Sequence, residues 1–162
     1  MSHDSFYHLK NSIAMPKLLC TPRTYPCTGK NPLQQEFDNV LRSGFVTILK
    51  VQISDLQWMQ ASLPVHMVGL RVKSAFSLVP SAFLASAAAT LPLYDEILSA
   101  SSLVGIEDTA VSNARAIWNS LTMVYEPIKA SNHIQRAWDA PITTAACNDL
   151  IARCSLPIDQ AM

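Results

Sequence analysis

The sequence predicts an all-α protein, an irregular array of short helices in one helical region that spans residues 1–162. Three observations predict it. Apolar residues recur three and four positions apart nearly throughout the chain, which is the spacing of one helix face. Helix-start patterns precede several of these stretches. No segment reads clearly as a strand.

The N-terminal part predicts one helix and a loop. Asp4 is a suitable cap for a first helix. This helix should end by Met15, because a residue before proline disfavours helical backbone. Five prolines and glycines interrupt residues 16–32. We therefore expect an irregular loop there, with a short extended piece at residues 17–20.

The next two helices have recognisable starts. Asn31-Pro32 places a cap before a proline in the first helical position. The Ser43-Gly44 pair could split or bend the helix that follows. Ser54 and Gln57 form a capping box for a second helix that stops before Pro64. Residues 63–72 then predict a turn or a short extended link around Gly69.

Residues 74–94 contain no charged side chain. The stretch is about long enough to span a bilayer, but Pro80, Pro92 and several Ser and Thr residues interrupt it. We expect a buried pair of helices. Pro80 should break or kink the first, and the second, at residues 81–90, has small residues four apart. A short helix should follow from Pro92 to Leu98. No membrane partner is expected.

A flexible link is predicted at residues 99–105, where the chain has a possible sub-boundary. Glu107 and Asp108 suit the start of the next helix, because acids complement the helix dipole there. Its apolar face should contain Val111, Ala114, Trp118 and Leu121. Further short helices are expected at residues 131–139 and 141–153.

The composition indicates a chain that needs a partner or is a piece of a larger protein. Only 15% of the residues are charged, which is well below the usual share. The formal net charge is zero, but residues 1–73 carry +4 and residues 74–162 carry −4. No secretory signal opens the chain, so we expect an intracellular protein, cytoplasmic or nuclear, with reduced thiols.

No motif for catalysis is recognised. Polymerases need carboxylates that converge on divalent metals, and the aromatic-x-Asp-Asp turn of reverse transcriptases is missing from the sequence. The nearest string, Tyr94-Asp95-Glu96, suits a helix start better. There is no Gly-rich phosphate loop, and six residues between Cys20 and Cys27 fit a zinc site poorly. We expect no enzyme, no cofactor and no metal.

Basic and aromatic residues alternate near the N-terminus, as in proteins that hold a nucleic-acid backbone and stack a base. The simpler interpretation is that Phe6 belongs to the core and the cations are solvated. The three tryptophans occupy helical patterns and are expected to be core or interface anchors. The residues of the alternating stretch are Phe6, Tyr7, Lys10, Lys17, Arg23, Tyr25 and Lys30.

Two stretches resemble the reverse transcriptases of animal non-LTR retrotransposons. The first runs from Gln57-Trp58 through Leu63-Pro64, Gly69-Leu70-Arg71 and Ser74-Ala75 to Ser81-Ala82-Phe83-Leu84-Ala85-Ser86-Ala87. The family pattern there is Gln-Trp, Leu-Pro, Gly-Gly-Leu-Gly-Ile/Val-Arg-Ser-Ala and Ser-Ala-Phe-Leu-Ala-Ser-Ala. The second stretch is Ile134-Gln135-Arg136-Ala137-Trp138-Asp139. The opening, from Asp4 to Leu18 and from Leu33 to Leu41, is also similar.

The resemblance implies a thumb-like helical region just after the polymerase palm. The chain departs from the pattern where Val68 and Arg71 replace glycines. Both changes would strain the turn if it needs positive φ. The palm and fingers, and the downstream Cys/His cluster, have no counterpart in this sequence, which is typical of a fragment of a larger element.

Three hypotheses follow. The first is a non-catalytic thumb-side fragment that contacts the template–primer backbone of RNA or DNA through Lys10, Lys17, Arg23, Arg71 and Lys73. Its other partners would be the missing polymerase domain or a second copy. The second is a helical protein–protein interaction module without a nucleic-acid role. The third is an independent enzyme, which no motif supports.

Overall fold

The computed structural model describes residues 2–8, 11, 15–25, 32–100, 109–123 and 134–155, and the structural statements below concern these residues. They form an all-α array without a strand, as predicted. The helices are α1 (Ser2–His8), α2 (Met15–Thr24), α3 (Pro32–Leu49), α4 (Asp55–Ser62), a 3-10 turn (Val65–Met67), α5 (Ala75–Ala100), α6 (Thr109–Thr122) and α7 (Gln135–Ser155).

Several boundaries agree with the sequence. Helix α3 begins at Pro32 and passes through Gly44 without a break. Helix α4 is capped by Ser54, and both hydrogen bonds of the capping box with Gln57 are formed. Helix α4 ends at Ser62, ahead of Pro64. The link around Gly69 is also confirmed, since residues 63–74 are non-helical apart from the 3-10 turn.

The predicted loop at residues 16–32 is wrong over residues 16–24, which belong to α2. Residues 17–20 are helical and not extended. Pro16 lies in the first turn, where its missing N–H has no partner to lose. Pro22 lies inside α2 and is almost fully buried, so packing of its ring offsets one lost hydrogen bond. Residues 26–31 lie outside the described part.

Prolines also fail to end helices further along the chain. Pro80 and Pro92 both lie inside the 26-residue helix α5, and Pro141 lies inside α7. The short helices predicted on either side of these prolines are therefore continuous. Pro80 is buried, and the neighbouring Ser81 hydroxyl donates to the Ser77 carbonyl, which adds a bond near the gap in the ladder.

Helix α5 organises the core, because it contacts α2, α3, α6 and α7. Two clusters of buried apolar residues are formed. The first cluster contains Leu41, Phe45, Ala61 and Val72, with Phe6 and Trp58 packed at its edge. The second cluster joins α5 to α6 and α7, and its buried members are Phe83, Leu84, Ala85, Ala88, Ala114, Trp118, Trp138 and Ile142. The predicted apolar face of α6 is thus confirmed.

Small side chains explain the close packing of α5. Ala82 is fully buried, and Ala85 is 5% exposed. Ala89, one turn later, is exposed, so this row of small residues is covered at Ala82 and Ala85 but not at Ala89.

The part of the chain that the structure describes contains no helix both long enough and apolar enough to cross a membrane. Of the predicted link and sub-boundary at 99–105, residues 99–100 are helical and the rest lie outside the described part.

Candidate functional site

The start of α5 is held by acids from two other helices. We call this set the junction: Lys73, Ser74 and Ala75, with Asp38 of α3 and Asp139 of α7. The Asp38 carboxylate accepts hydrogen bonds from the Ser74 hydroxyl at 2.6 Å and from the Ala75 amide at 2.7 Å. A carboxylate at a helix N-terminus satisfies unpaired amides and complements the dipole. The Ser74 hydroxyl in turn accepts from the Phe76 amide.

Lys73 connects the junction to α7. Its ammonium group lies 2.5 Å from the Asp139 carboxylate, and the two side chains are only 32% and 20% exposed. This ion pair is shielded more than a surface pair, so salt screens it less. Asp38 of α3 and Asp139 of α7 thus hold consecutive residues of the chain.

The first turns of α7 carry two more specific contacts. The Arg23 guanidinium donates to the Gln135 side-chain oxygen at 3.0 Å, which ties α2 to α7. The Trp118 indole N–H donates to the Trp138 carbonyl at 2.9 Å, and the two rings meet edge to face. Residues 135–139 therefore act as an anchor for α7, with the tryptophans in the core as predicted.

The turn before the junction requires special backbone geometry. Val68 and Arg71 have φ values of 60° and 58°, in the left-handed region that side chains with a Cβ disfavour. Gly69 is needed for a different reason. A Cβ at Gly69 would lie 2.0 Å from the Leu63 carbonyl oxygen, so only glycine lets the two backbone segments approach.

The five predicted nucleic-acid contacts differ in their surroundings. Lys10 lies outside the described residues, and only the backbone of Lys17, in α2, is described. Arg23 and Lys73 are engaged with Gln135 and Asp139. Arg71 is exposed and forms no ion pair with any described residue. The structure therefore brings Arg23 and Lys73 to the first turns of α7, where both make internal contacts.

The other described residues that could bind a metal or react are not clustered. Within the described ranges no three His, Cys, Asp or Glu residues lie close enough to hold a metal ion. The interpretation of Asp95 and Glu96 as a helix start is wrong, because both lie near the C-terminal end of α5. Cys147 is half-buried but Cys154 is exposed, so the two thiols do not share one packed face.

Sequence reasoning missed Asp38 and Asp139 as the residues that hold the junction. Asp38 lies 36 positions from Ser74, and no local pattern indicates such a pairing. The Ser74 hydroxyl donates to the Asp38 carboxylate and accepts from the Phe76 amide, and this arrangement caps α5. Comparison with known protein families, with curated proteins and with solved structures finds no match for this chain.

Proposed function

We propose that this chain is a non-catalytic, thumb-like helical fragment of a reverse transcriptase of the non-LTR retrotransposon type. In that role it would pack beside a polymerase core inside the cell, in the cytoplasm or nucleus. It would touch the template–primer backbone through cations. Arg71 is exposed, and Lys10 and Lys17, whose side chains lie outside the described part, are candidates from the sequence. Its sequence has no aromatic-x-Asp-Asp turn, so it would supply no metal-binding carboxylates.

One observation carries the proposal. The family pattern has glycine at the positions of Val68 and Arg71, and these are the two residues of the turn with left-handed φ. Glycine adopts such backbone at little cost, whereas other residues lose about 1–2 kcal/mol each. The third glycine of the pattern corresponds to Gly69, where a Cβ would clash with backbone. The backbone of this turn thus favours glycine at all three positions where the family pattern has glycine.

A second observation supports the proposal. The two stretches that carry the resemblance contact each other at the ion pair of Lys73 and Asp139, which are 66 positions apart. The family pattern has Arg at the position of Lys73, which also pairs with a carboxylate. Shared packing explains why both stretches would belong to one pattern.

The experiment is a salt titration of nucleic-acid binding. Fluorescence anisotropy would measure the affinity of the whole chain for a labelled RNA–DNA duplex over a range of salt concentrations. Each phosphate contact adds about 0.9 to the magnitude of the slope of log K against log salt. Arg71→Gln should lower that magnitude by about 1. Arg115→Gln, which removes an exposed cation of α6, is the matched control and should leave the slope unchanged.

A chain without measurable affinity, or with a slope that Arg71→Gln leaves intact, would remove the backbone-contact role. The alternative function is a helical protein–protein interaction module. It is favoured by one specific observation: Arg23 and Lys73, two of the predicted phosphate contacts, make internal contacts. A discrete oligomer in sedimentation velocity, together with no affinity for the duplex, would support this alternative.

A further inference from the structure

An exposed apolar turn precedes the junction. We call its residues Val65, Val68, Leu70 and Arg71 the tip. The three apolar side chains are 69%, 78% and 44% exposed, so water covers much of their surface. They lie within six residues of one another, unlike the single exposed apolar residues that are normal on a protein surface. Val68 and Arg71 have strained, left-handed backbone, and both side chains are exposed. Burial of these side chains therefore does not offset the strain.

Six consecutive backbone amides of this turn are paired within the chain. Every amide N–H from residue 67 to residue 72 donates to a backbone carbonyl of residues 61–65, at distances of 2.8–3.1 Å. An exposed turn in water has no need of such complete pairing, because water satisfies free amides. Entry into an apolar medium does need it, since an unpaired amide there costs several kcal/mol. The tip therefore combines apolar side chains with a backbone that has no amide donor left unpaired over six residues.

Within the turn itself, the side chains that can carry charge have one sign. No Asp or Glu occurs between residues 56 and 94, and Arg71 and His66 are both exposed. An anionic surface with an apolar interior matches this combination. A nucleic-acid backbone could contact Arg71 through its phosphates, but it offers no apolar interior for Val65, Val68 and Leu70.

We propose that the tip docks on the surface of an anionic lipid bilayer, with Val65, Val68 and Leu70 entering the boundary of the acyl chains and Arg71 at the headgroups. This proposal goes beyond the proposed function. It also departs from the expectation of no membrane partner, which rested on the lack of a spanning segment. Contact with a bilayer surface needs no span.

The expected affinity is modest. Three aliphatic side chains bury less apolar surface than one myristoyl chain, whose binding constant is about 10⁴ M⁻¹. The headgroup contact of Arg71 contributes about a fivefold gain on an anionic membrane. Binding should therefore be measured at millimolar lipid and low salt.

The test is co-sedimentation of the whole chain with vesicles of phosphatidylcholine, alone or mixed with phosphatidylserine. The wild-type chain should bind the mixed vesicles and bind phosphatidylcholine vesicles about fivefold less. Val68→Asp should lower binding about 10-fold or more, since it removes apolar contact and adds like charge. Aspartate tolerates left-handed backbone better than valine, so this variant should fold. Val40→Asp changes an equally apolar residue on α3 that is 67% exposed, and should bind like the wild type.

Several outcomes would overturn the proposal. The wild-type chain could remain in the supernatant at millimolar lipid. Val68→Asp could bind as well as the wild type, or Val40→Asp could lose as much binding as Val68→Asp. Val68→Asp could instead abolish self-association or duplex binding while no vesicle binding is seen, which would assign the tip to a protein or nucleic-acid partner.

Discussion

Replacing Gly69 with alanine should destabilise the chain by about 2–4 kcal/mol, even though the change adds one methyl group. The new Cβ would lie 2.0 Å from the carbonyl oxygen of Leu63, 2.4 Å from its carbonyl carbon and 2.7 Å from its Cβ. Two of these atoms belong to the backbone, so no side-chain rotation relieves the contact. The segment that contains Leu63 has to move.

The magnitude follows from what that movement disrupts. The Leu63 carbonyl accepts from the Arg71 amide at 2.8 Å, and the Leu63 amide caps α4 by donating to Gln60. Each of these hydrogen bonds contributes about 1 kcal/mol. The Leu63 side chain is 3% exposed, so its displacement also loses packing. For a chain of this size the predicted loss lowers Tm by about 5–15 °C.

The assay is urea and thermal unfolding followed by far-UV circular dichroism. Val68→Gly, one residue away, is the internal comparison and should act in the opposite direction. It relieves about 1–2 kcal/mol of strain from the left-handed valine. The greater freedom of glycine in the unfolded chain costs about 0.4–1 kcal/mol, so the free energy of unfolding should rise. Val68→Ala keeps the strained backbone and separates φ from side-chain size. An unchanged Tm for Gly69→Ala, or a destabilised Val68→Gly, would refute this account of the turn.

Three further predictions concern the junction and α7, each measured by urea unfolding. Asp38→Ala should cost about 1–2 kcal/mol, because it removes the acceptor for the first amide of α5, and Asp38→Asn should cost less. A double-mutant cycle with Lys73→Gln and Asp139→Asn should give a coupling of about 0.5–1.5 kcal/mol that weakens little in salt; no coupling would mean that the pair forms without energetic consequence. Trp118→Phe should lose about 1–2 kcal/mol, because it removes the indole hydrogen bond to the buried Trp138 carbonyl, and equal stability would exclude that role for the indole N–H.

Local signals in the sequence predicted helix boundaries that depend on residues close together in the chain. The capping box of Ser54 and Gln57 and the start at Pro32 were visible because they depend on residues three positions apart or fewer. The apolar face of α6 followed from its spacing alone. Proline was the misleading signal: Pro80 was expected to break or kink a helix and Pro141 to begin a new one, yet one helix continues through each. Tertiary packing around α5 and α7 outweighs the roughly 3 kcal/mol that an interior proline costs.

The candidate site was less predictable because its contacts are remote in sequence. Ser74 and Lys73 could be singled out from the resemblance, but their partners Asp38 and Asp139 lie 36 and 66 positions away. The strain at Val68 and Arg71 was the exception. Comparison with the glycine pattern predicted strain at these two residues if the turn needs positive φ. Both residues have positive φ in the structure.

The two apolar clusters raise the question of whether the chain unfolds as one unit. They share no buried residue, and the second contains residues of α5 whereas the first is built from residues before that helix. Asp38 belongs to the helix that supplies Leu41 and Phe45 to the first cluster, whereas Asp139 follows Trp138 of the second. Because both acids hold residues 73–75, the junction links the clusters through polar contacts at one end of α5. If that link sets the cooperativity, removing Asp38 and Asp139 together should turn a single transition into two, with the second cluster, which contains the buried Trp118–Trp138 pair, persisting to higher urea.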